Sequence, residues 1–296
     1  MQARSPRLVS IVIPAYNAAP VIDVQLSALA AQDYPDPFEV VVSDNGSTDD
    51  LRDHIAGHPL AERLRLRYVD ASGARGPSHA RNLGTAAAAG DFIAYCDADD
   101  QAHPQWLREL VRRAADFDAV SGPVETFTLN SVEAAAWTPV NPPERRTELP
   151  GMFPVAGSCN LGMWRETVDA VGPWDTKYVR GSQDVDYCLR IQLAGCTFGH
   201  APEAMMAYRV QSSYRGLWSQ QFAWAQSEVG IYVQYRDRGH RRRNPLLALA
   251  MPALLVLRNP LLPRAVTKLP TGTWIYYLAG FTGRIRGSIR NRVFYV

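Results

Sequence analysis

The first 125 residues alternate short apolar runs with helical stretches, and this alternation restricts the fold more than any other feature of the chain. Apolar runs at 8–13, 38–43, 64–69, 92–96 and 119–124 each have a strand's length. Segments 18–31, 48–56, 78–89 and 104–115 between them are helical in composition. Ser78 is a candidate N-cap, and Gly90 lies just past the end of its helix. Repeated strand–helix units build a mostly parallel sheet with helices on its faces. Ligands of such sheets sit at the carboxyl ends of the strands. The turns 14–17, 44–47 and 97–100 all fall at such ends, so they should converge on one cleft.

The most telling of these turns follows Phe92-Ile93-Ala94-Tyr95-Cys96. There the chain reads Asp97-Ala98-Asp99-Asp100, with no basic residue between Asp91 and His103. Residues two apart on extended backbone point the same way, so Asp97 and Asp99 can face one site. Crowded carboxylates suit Mg2+ or Mn2+. The bland alternative is that Asp99 or Asp100 caps the helix near Pro104.

Three further stretches could meet this cluster. Pro14-Ala15-Tyr16-Asn17 ends the first strand, where Tyr16 could stack on a base. Ser43-Asp44-Asn45-Gly46-Ser47-Thr48 ends the second. Asp44 there can accept hydrogen bonds from a base or a ribose, and Ser47 or Thr48 can cap the next helix. Residues 73–84 open a helix whose N-terminus attracts anions, and Arg75 or Arg81 can pair with phosphate.

In this order and at these intervals, the motifs resemble the family 2 inverting glycosyltransferases of the GT-A fold. Val9–Asn17, Ser43–Asp49, Ala80-Arg81-Asn82-Leu83-Gly84 and Asp97–Asp100 carry the resemblance, which extends over about residues 8–230. It implies an α/β GT-A sheet, mostly parallel and flanked by helices, with a C-terminal helical appendage that is basic and apolar. It also implies a nucleotide-sugar donor, with a UDP-sugar preferred, and Mn2+ or Mg2+. The implied nucleotide-binding set is Pro14, Ala15, Tyr16, Asn17, Asp44, Asn45, Ser47, Arg81 and Asp97. In that set Asp44 serves the base and Asp97 the ribose. Asp99 would hold the metal, which leaves Asp100 to support the following helix.

The family places its catalytic base before a later helix. Gly181-Ser182-Gln183-Asp184 fills that place, with Gln183 where a Glu is usual and Asp184 matching the base. Its task is to take a proton from the acceptor hydroxyl during inversion. Asn160, Trp174 and Gln183 fall in the region expected to shape the acceptor pocket. Processive members carry Gln-x-x-Arg-Trp, whereas this chain reads Gln220-Gln221-Phe222-Ala223-Trp224. A single transfer to a glycan or glycolipid acceptor is therefore expected, rather than polymer synthesis. Segment 203–210 lacks the histidine that serves some relatives as a third metal ligand, and His200 is the nearest candidate. A non-catalytic nucleotide-sugar-binding module is the alternative reading.

Charge is unevenly placed. The segment after Tyr235 carries +11, which leaves −9 for residues 1–235. Two apolar stretches, 246–257 and 273–281, lie among its arginines, with Arg258, Pro260, Pro263 and Arg264 between them. Both are too short to span a bilayer, and they read as interfacial segments on an anionic membrane. The alternative is that they pack on the main domain. Nucleic acid is not an expected partner, since the body is acidic. The expected division is 1–235 for catalysis, with a donor half of about 1–125 and an acceptor half of about 126–235, followed by the basic region 236–296. The polar Met1–Arg7 carries no signal peptide, and Cys96, Cys159, Cys188 and Cys196 form no CxxC pair. The expected location is cytoplasmic, peripheral on the inner face of the cell membrane. Residues 137–154, rich in Pro, Glu and Arg, are expected to form a mobile loop.

Overall fold

The computed structural model describes residues 4–263, 267 and 269–296. Arg264 and the first three residues of the polar N-terminal stretch lie outside the described residues. In chain order the donor-side elements are β1 (Val9–Ala15), α1 (Ile22–Ala30), β2 (Phe38–Asp44), α2 (Leu51–Ala56), β3 (Arg67–Asp70), α3 (Pro77–Ala87), β4 (Phe92–Tyr95), β5 (Gln101–Ala102) and α4 (Trp106–Ala114). There follow β6 (Ala119–Ser121), β7 (Val124–Glu125), α5 (Val132–Ala135), β8 (Thr147–Glu148), β9 (Pro154–Val155) and β10 (Leu161–Trp164). The remainder comprises α6 (Arg165–Val171), α7 (Gln183–Leu193), β11 (Phe198–His200), β12 (Met206–Ala207), α8 (Tyr214–Tyr235), α9 (Pro245–Leu257) and α10 (Thr271–Asn291).

Seven strands form the main sheet in the order β11-β6-β10-β4-β1-β2-β3. Strands β1, β2, β3 and β4 pair in parallel, and β10 runs antiparallel between β4 and β6. This is the α/β sheet expected, with helices on both faces. Strand alternation divides its core in two. Val9, Ile11, Ile13, Val40, Val42, Phe92 and Ala94 face α1 and α4, packing on Ile22, Leu26, Trp106 and Leu110. Val12, Val41, Ile93 and Tyr95 face the other way, onto Trp174, Tyr187, Leu189 and Tyr235. Both faces of β1 are covered, so its sequence is apolar at consecutive positions.

Several local expectations needed correction. Gly76, not Ser78, occupies the N-cap of α3, and Pro77 takes the first turn. Ser78 is buried inside the helix. The expected strand 119–124 breaks at Gly122, because a Cβ there would lie 2.0 Å from the Ala204 carbonyl oxygen. Only glycine permits that approach. Residues Ser158–Asn160 form a 3-10 turn before β10. Segment 137–154 contains β8, which pairs with β9, and buries Trp137.

The tail does not lie free of the body. Helix α10 runs along α8, and the two backbones meet at glycines. A Cβ on Gly283 would be 2.4 Å from the Phe222 carbonyl oxygen, and one on Gly287 would be 2.9 Å from that of Gln226. Arg243 and Arg284 both pair with Glu228, at 2.8 Å and 3.5 Å, so these two basic groups are spent inside the protein. In α9 and just beyond it, Leu246, Leu249, Val256, Leu257 and Leu261 remain exposed.

Candidate active site

The carboxyl ends of β1, β2 and β4 lie side by side, as parallel neighbours must. Asp44 and Asp97 therefore stand two strand spacings apart, about 10 Å. At the end of β2, Asp44 is buried and well held. Its Oδ1 accepts from the Ser47 backbone N–H at 2.9 Å and hydroxyl at 2.6 Å, and its Oδ2 accepts from the Tyr68 hydroxyl at 2.8 Å. Asn17, in the left-handed region at φ 50°, ties β1 to the same turn. Its N–H donates to Ser47 Oγ, and its Oδ1 accepts the Thr48 N–H, both at 2.8 Å. Ser47 thus braces Asp44 and Asn17 rather than capping α2. Asn45 is committed too: its Nδ2 donates to the Ala71 and Ala74 carbonyls, and its Oδ1 accepts the Gly76 N–H. It shapes the wall instead of facing the opening. Pro14 and Ala15 contribute backbone; the Asn45 N–H donates to the Ala15 carbonyl at 2.8 Å. Tyr16 is 62% exposed beside them.

Arg81 links this edge to the acidic turn. It is buried in α3, and its Nη2 donates to Asp97 Oδ1 at 2.9 Å. Its Nε and Nη1 are buried without a partner among the described residues. Helix α3 can come this close because a Cβ on Gly84 would lie 2.6 Å from Val12 Cγ1.

The three carboxylates differ in setting. Asp99 is exposed on the turn. Partial burial and the nearby Asp97 push its carboxyl up to about 6. Asp100 is fully buried, and burial with the charges of Asp97 and Asp99 drives its carboxyl well above the usual range. Its Oδ1 accepts the Arg209 N–H at 2.9 Å, while its Oδ2 is buried with no partner among the described residues. Asp100 therefore does not support α4. It belongs to the site, which the sequence reading missed. Ligand atoms of Asp97, Asp100 and Cys159 all lie within 4.8 Å of one another, and Asp99 stands outside that group. An orphaned carboxylate oxygen with a second carboxylate and a thiol beside it is a setting that a divalent cation relieves. The residues present therefore fit such an ion. No histidine joins this group among the described residues; His200 Nε2 instead meets the Pro143 carbonyl oxygen at 2.7 Å.

Asp23, His54 and His58 form a second group with metal-like spacing. There His58 Nδ1 accepts the Leu60 N–H at 3.2 Å, so its Nε2 keeps the proton. That tautomer suits a hydrogen bond to Asp23 and opposes metal binding.

Asp184 sits in the first turn of α7. Two residues in the left-handed region, Gly181 and Ser182 at φ 100° and 66°, turn the chain into that helix. Burial raises the Asp184 carboxyl, and the nearby Arg81 partly offsets this. A cavity of about 370 Å3 is lined by Asp97, Cys159, Gln183, Asp184, Tyr208 and Trp224. Gln183 Oε1 is buried there without a partner. Trp224, midway along α8, contributes although its motif departs from the processive pattern.

Two expected acceptor-side residues lie elsewhere. Asn160 is buried beneath the site, with Oδ1 accepting from Trp106 Nε1 and Nδ2 donating to the Pro123 and Ala204 carbonyls. Trp174 is buried with its ring stacked on Tyr187 at 4.0 Å, so no face is free for a sugar. Both were misplaced because small polar and aromatic residues carry the same sequence signal in a pocket as in a core.

The family model for glycosyl transferase family 2 matches residues 10–172, more than half of the chain. The chain belongs to this family. Glycosyltransferase AglE of Haloferax volcanii is 30% identical over 245 residues, which cover 81% of this chain and 79% of that protein. The structure of the mannosyltransferase PcManGT from Pyrobaculum calidifontis, in complex with GDP-Man and Mn2+, superposes with a TM-score of 0.64 at 23% identity, covering 98% of this chain and 88% of that one. TarS of S. aureus in complex with UDP gives 0.53 at 17% identity, covering 97% and 93%. The glycosyltransferase is thus an enzyme of the GT-A fold, and β1, β2 and β4 carry its family motifs.

Proposed function

We propose that this glycosyltransferase moves one sugar, with inversion, from a nucleotide-diphosphate sugar to an acceptor hydroxyl in cell-surface glycan or glycolipid assembly. One observation carries the reading: Asp97 of the acidic turn and Asp184 of α7 line the same cavity. One comes from the side of the sheet bearing the Asp44 turn, the other from a helix beyond it. An inverting displacement needs that arrangement, with a leaving diphosphate on one side and a proton acceptor on the other.

The chain's own residues divide the work. Asp44, held by Ser47 and Tyr68, offers fixed acceptor lone pairs to the base, and Tyr16 offers an exposed ring to stack on it. Asp97 serves the ribose while Arg81 orients it. The two unpartnered nitrogens of Arg81 are available to phosphate oxygens. Asp184, raised by burial, takes the acceptor proton from its place in the cavity. Gln183 Oε1, buried and unpaired, can accept a hydrogen bond from the acceptor. Asp97 and Asp100 would hold Mn2+ or Mg2+, with Asp99 of the same turn completing the acidic set, and the bound ion would neutralise charge on the departing diphosphate.

Residues 1–235 form the catalytic part in this proposal, with the donor half at about 1–125 and the acceptor half at about 126–235. Among the described residues, no helix is long and apolar enough to cross a membrane. The exposed apolar side of α9 supports a peripheral seat on an anionic membrane surface at the inner face of the cell membrane.

A thermal-shift screen of UDP-, GDP- and dTDP-sugars with and without Mn2+ tests the reading. We expect one donor to raise Tm, and the rise to need the ion. No stabilisation by any donor would overturn the proposal. A metal-independent rise would remove the acidic turn from its metal-holding role.

A further inference from the structure

Behind the loop that delivers Asp184 lies a second, larger recess of about 750 Å3. Its walls are residues 177–180, one face of α8 and the last turns of α10. Five cationic side chains reach it: Lys177, Arg180, Arg215, Arg286 and Arg290. Among the described residues no carboxylate lines it. Of the five, Lys177 pairs with Asp175 at 2.7 Å, and Arg180 donates to Ser219 Oγ at 2.9 Å. Arg215, Arg286 and Arg290 are exposed and have no ion-pair partner among the described residues. The nearby acid on α8, Glu228, is taken by Arg243 and Arg284. Trp218 and Phe222 stack on the floor, with ring centroids 6.2 Å apart.

The recess and the catalytic cavity share a partition. A Cβ on Gly181 would lie 2.5 Å from Trp224 Cδ1, and Ser227 Oγ donates to the Gly181 carbonyl at 2.9 Å. Arg180 faces the recess, and four residues later Asp184 faces the cavity. Arg180 and Asp184 thus put the cationic wall and the proposed base on the two sides of one short segment.

We propose that the recess binds a phosphate group carried by the acceptor, so that the acceptor is a phosphate ester rather than a neutral glycan. Unpaired arginines beside aromatic rings, with no competing acid, are the chemistry that recognises phosphate. The like charges of Arg215, Arg286 and Arg290 repel one another, and an anion held between them relieves this. The proposal names the acceptor class for the transfer reaction above and rests on that reading.

The test uses the full chain and two probes, inorganic polyphosphate and phosphatidylglycerol vesicles. The change in tryptophan fluorescence that is lost in Trp218→Phe reports occupancy of the recess, since the chain has seven tryptophans. Polyphosphate should produce that change, with binding that weakens as salt rises. Arg286→Gln/Arg290→Gln, two exposed substitutions outside the catalytic machinery, should weaken polyphosphate binding by about tenfold or more. The same variant should keep wild-type nucleotide binding by thermal shift. Unchanged polyphosphate affinity in the variant would overturn the proposal. So would vesicle binding that depends on these arginines without any polyphosphate binding, which would make the recess a membrane contact. Loss of nucleotide binding by the wild-type chain, with polyphosphate binding intact, would instead sink the glycosyl-transfer reading and leave the recess an anion site.

Discussion

Asp184 and Asp100 are both acids that burial pushes up, yet they do different things. Asp184 lines an open cavity and can exchange its proton with a bound hydroxyl. Asp100 is fully buried beside Asp97, and its Oδ2 has no partner among the described residues. The proposed base is the more direct to test. Asp184→Asn keeps shape and hydrogen-bonding capacity but cannot accept the proton. We expect donor turnover to fall by roughly 100-fold or more, the usual contribution of a general base. Donor affinity by thermal shift should stay unchanged. Wild-type turnover in this variant would remove Asp184 from the chemistry. Sequence motifs pointed to Asp44, Asp97 and Asp184 through their order and spacing, because an acid at a helix start alone is also what capping and the helix dipole favour. They did not separate Ser47, which braces, from residues that face the opening. Nor did they single out Cys159, an apolar-looking residue in an apolar run that the 3-10 turn brings to the acidic group.

At the scale of elements, α8 is the hub of the second half. Its Trp224 lines the cavity, its Trp218 and Phe222 floor the recess, and Phe222 and Gln226 also meet α10. That helix pair depends on Gly283 and Gly287, where side chains are absent so that backbones can approach. Gly283→Ala puts a methyl 2.4 Å from the Phe222 carbonyl oxygen. Overpacking of this kind costs about 1–3 kcal/mol, and urea denaturation should register a loss in that range. Undiminished stability would mean that α10 does not seat on α8 as described. Composition had suggested that both tail segments lie on a membrane. One face of α10 packs on α8 and its Arg284 pairs with Glu228, while Arg286 and Arg290 stay exposed. A glycine spacing that permits helix contact has meaning only once the partner helix is known.

For the whole molecule, three carboxylates tie distant parts of the main sheet. Burial alone would raise all three, but hydrogen bonds outweigh it and hold each below its ordinary range. Glu39 on β2 accepts from the Ala89 N–H, Ser10 and Arg67; Asp91 accepts from the Leu8 and Arg7 N–H groups; Asp118 accepts from Thr197. A carboxyl depressed in the folded state stabilises the fold above its unfolded pKa. That contribution is lost as pH falls through the folded value. We therefore expect thermal stability to decline below about pH 4, with a shallower decline in Glu39→Gln, which has no charge to lose. Equal slopes in variant and wild type would show that Glu39 takes no part. The exposed α9 leucines make a second prediction at this scale. Phosphatidylglycerol vesicles should co-sediment the chain, and Leu249→Asp/Val256→Asp should release it. Binding unaffected by these changes would exclude α9 as the contact.

The residues alone determined the alternating strand–helix order, the sheet, the convergence of three strand ends and the acids at those ends. Each of these follows from local rules: apolar period, turn residues, and carboxylates that have no reason to follow a buried strand unless they meet something. Only the tertiary structure decided which polar atoms are spent and which are free. Asn160 and Trp174 went to the core because Trp106, Ala204 and Tyr187 claim them. Asp100 came into the site because β12 delivers the Arg209 N–H to one of its oxygens and nothing to the other. Arg284 and Arg290 are six residues apart on one helix, yet one pairs with Glu228 and the other faces the open recess. Satisfaction of a polar group depends on partners far away in the chain, and that information exists only once the chain has folded.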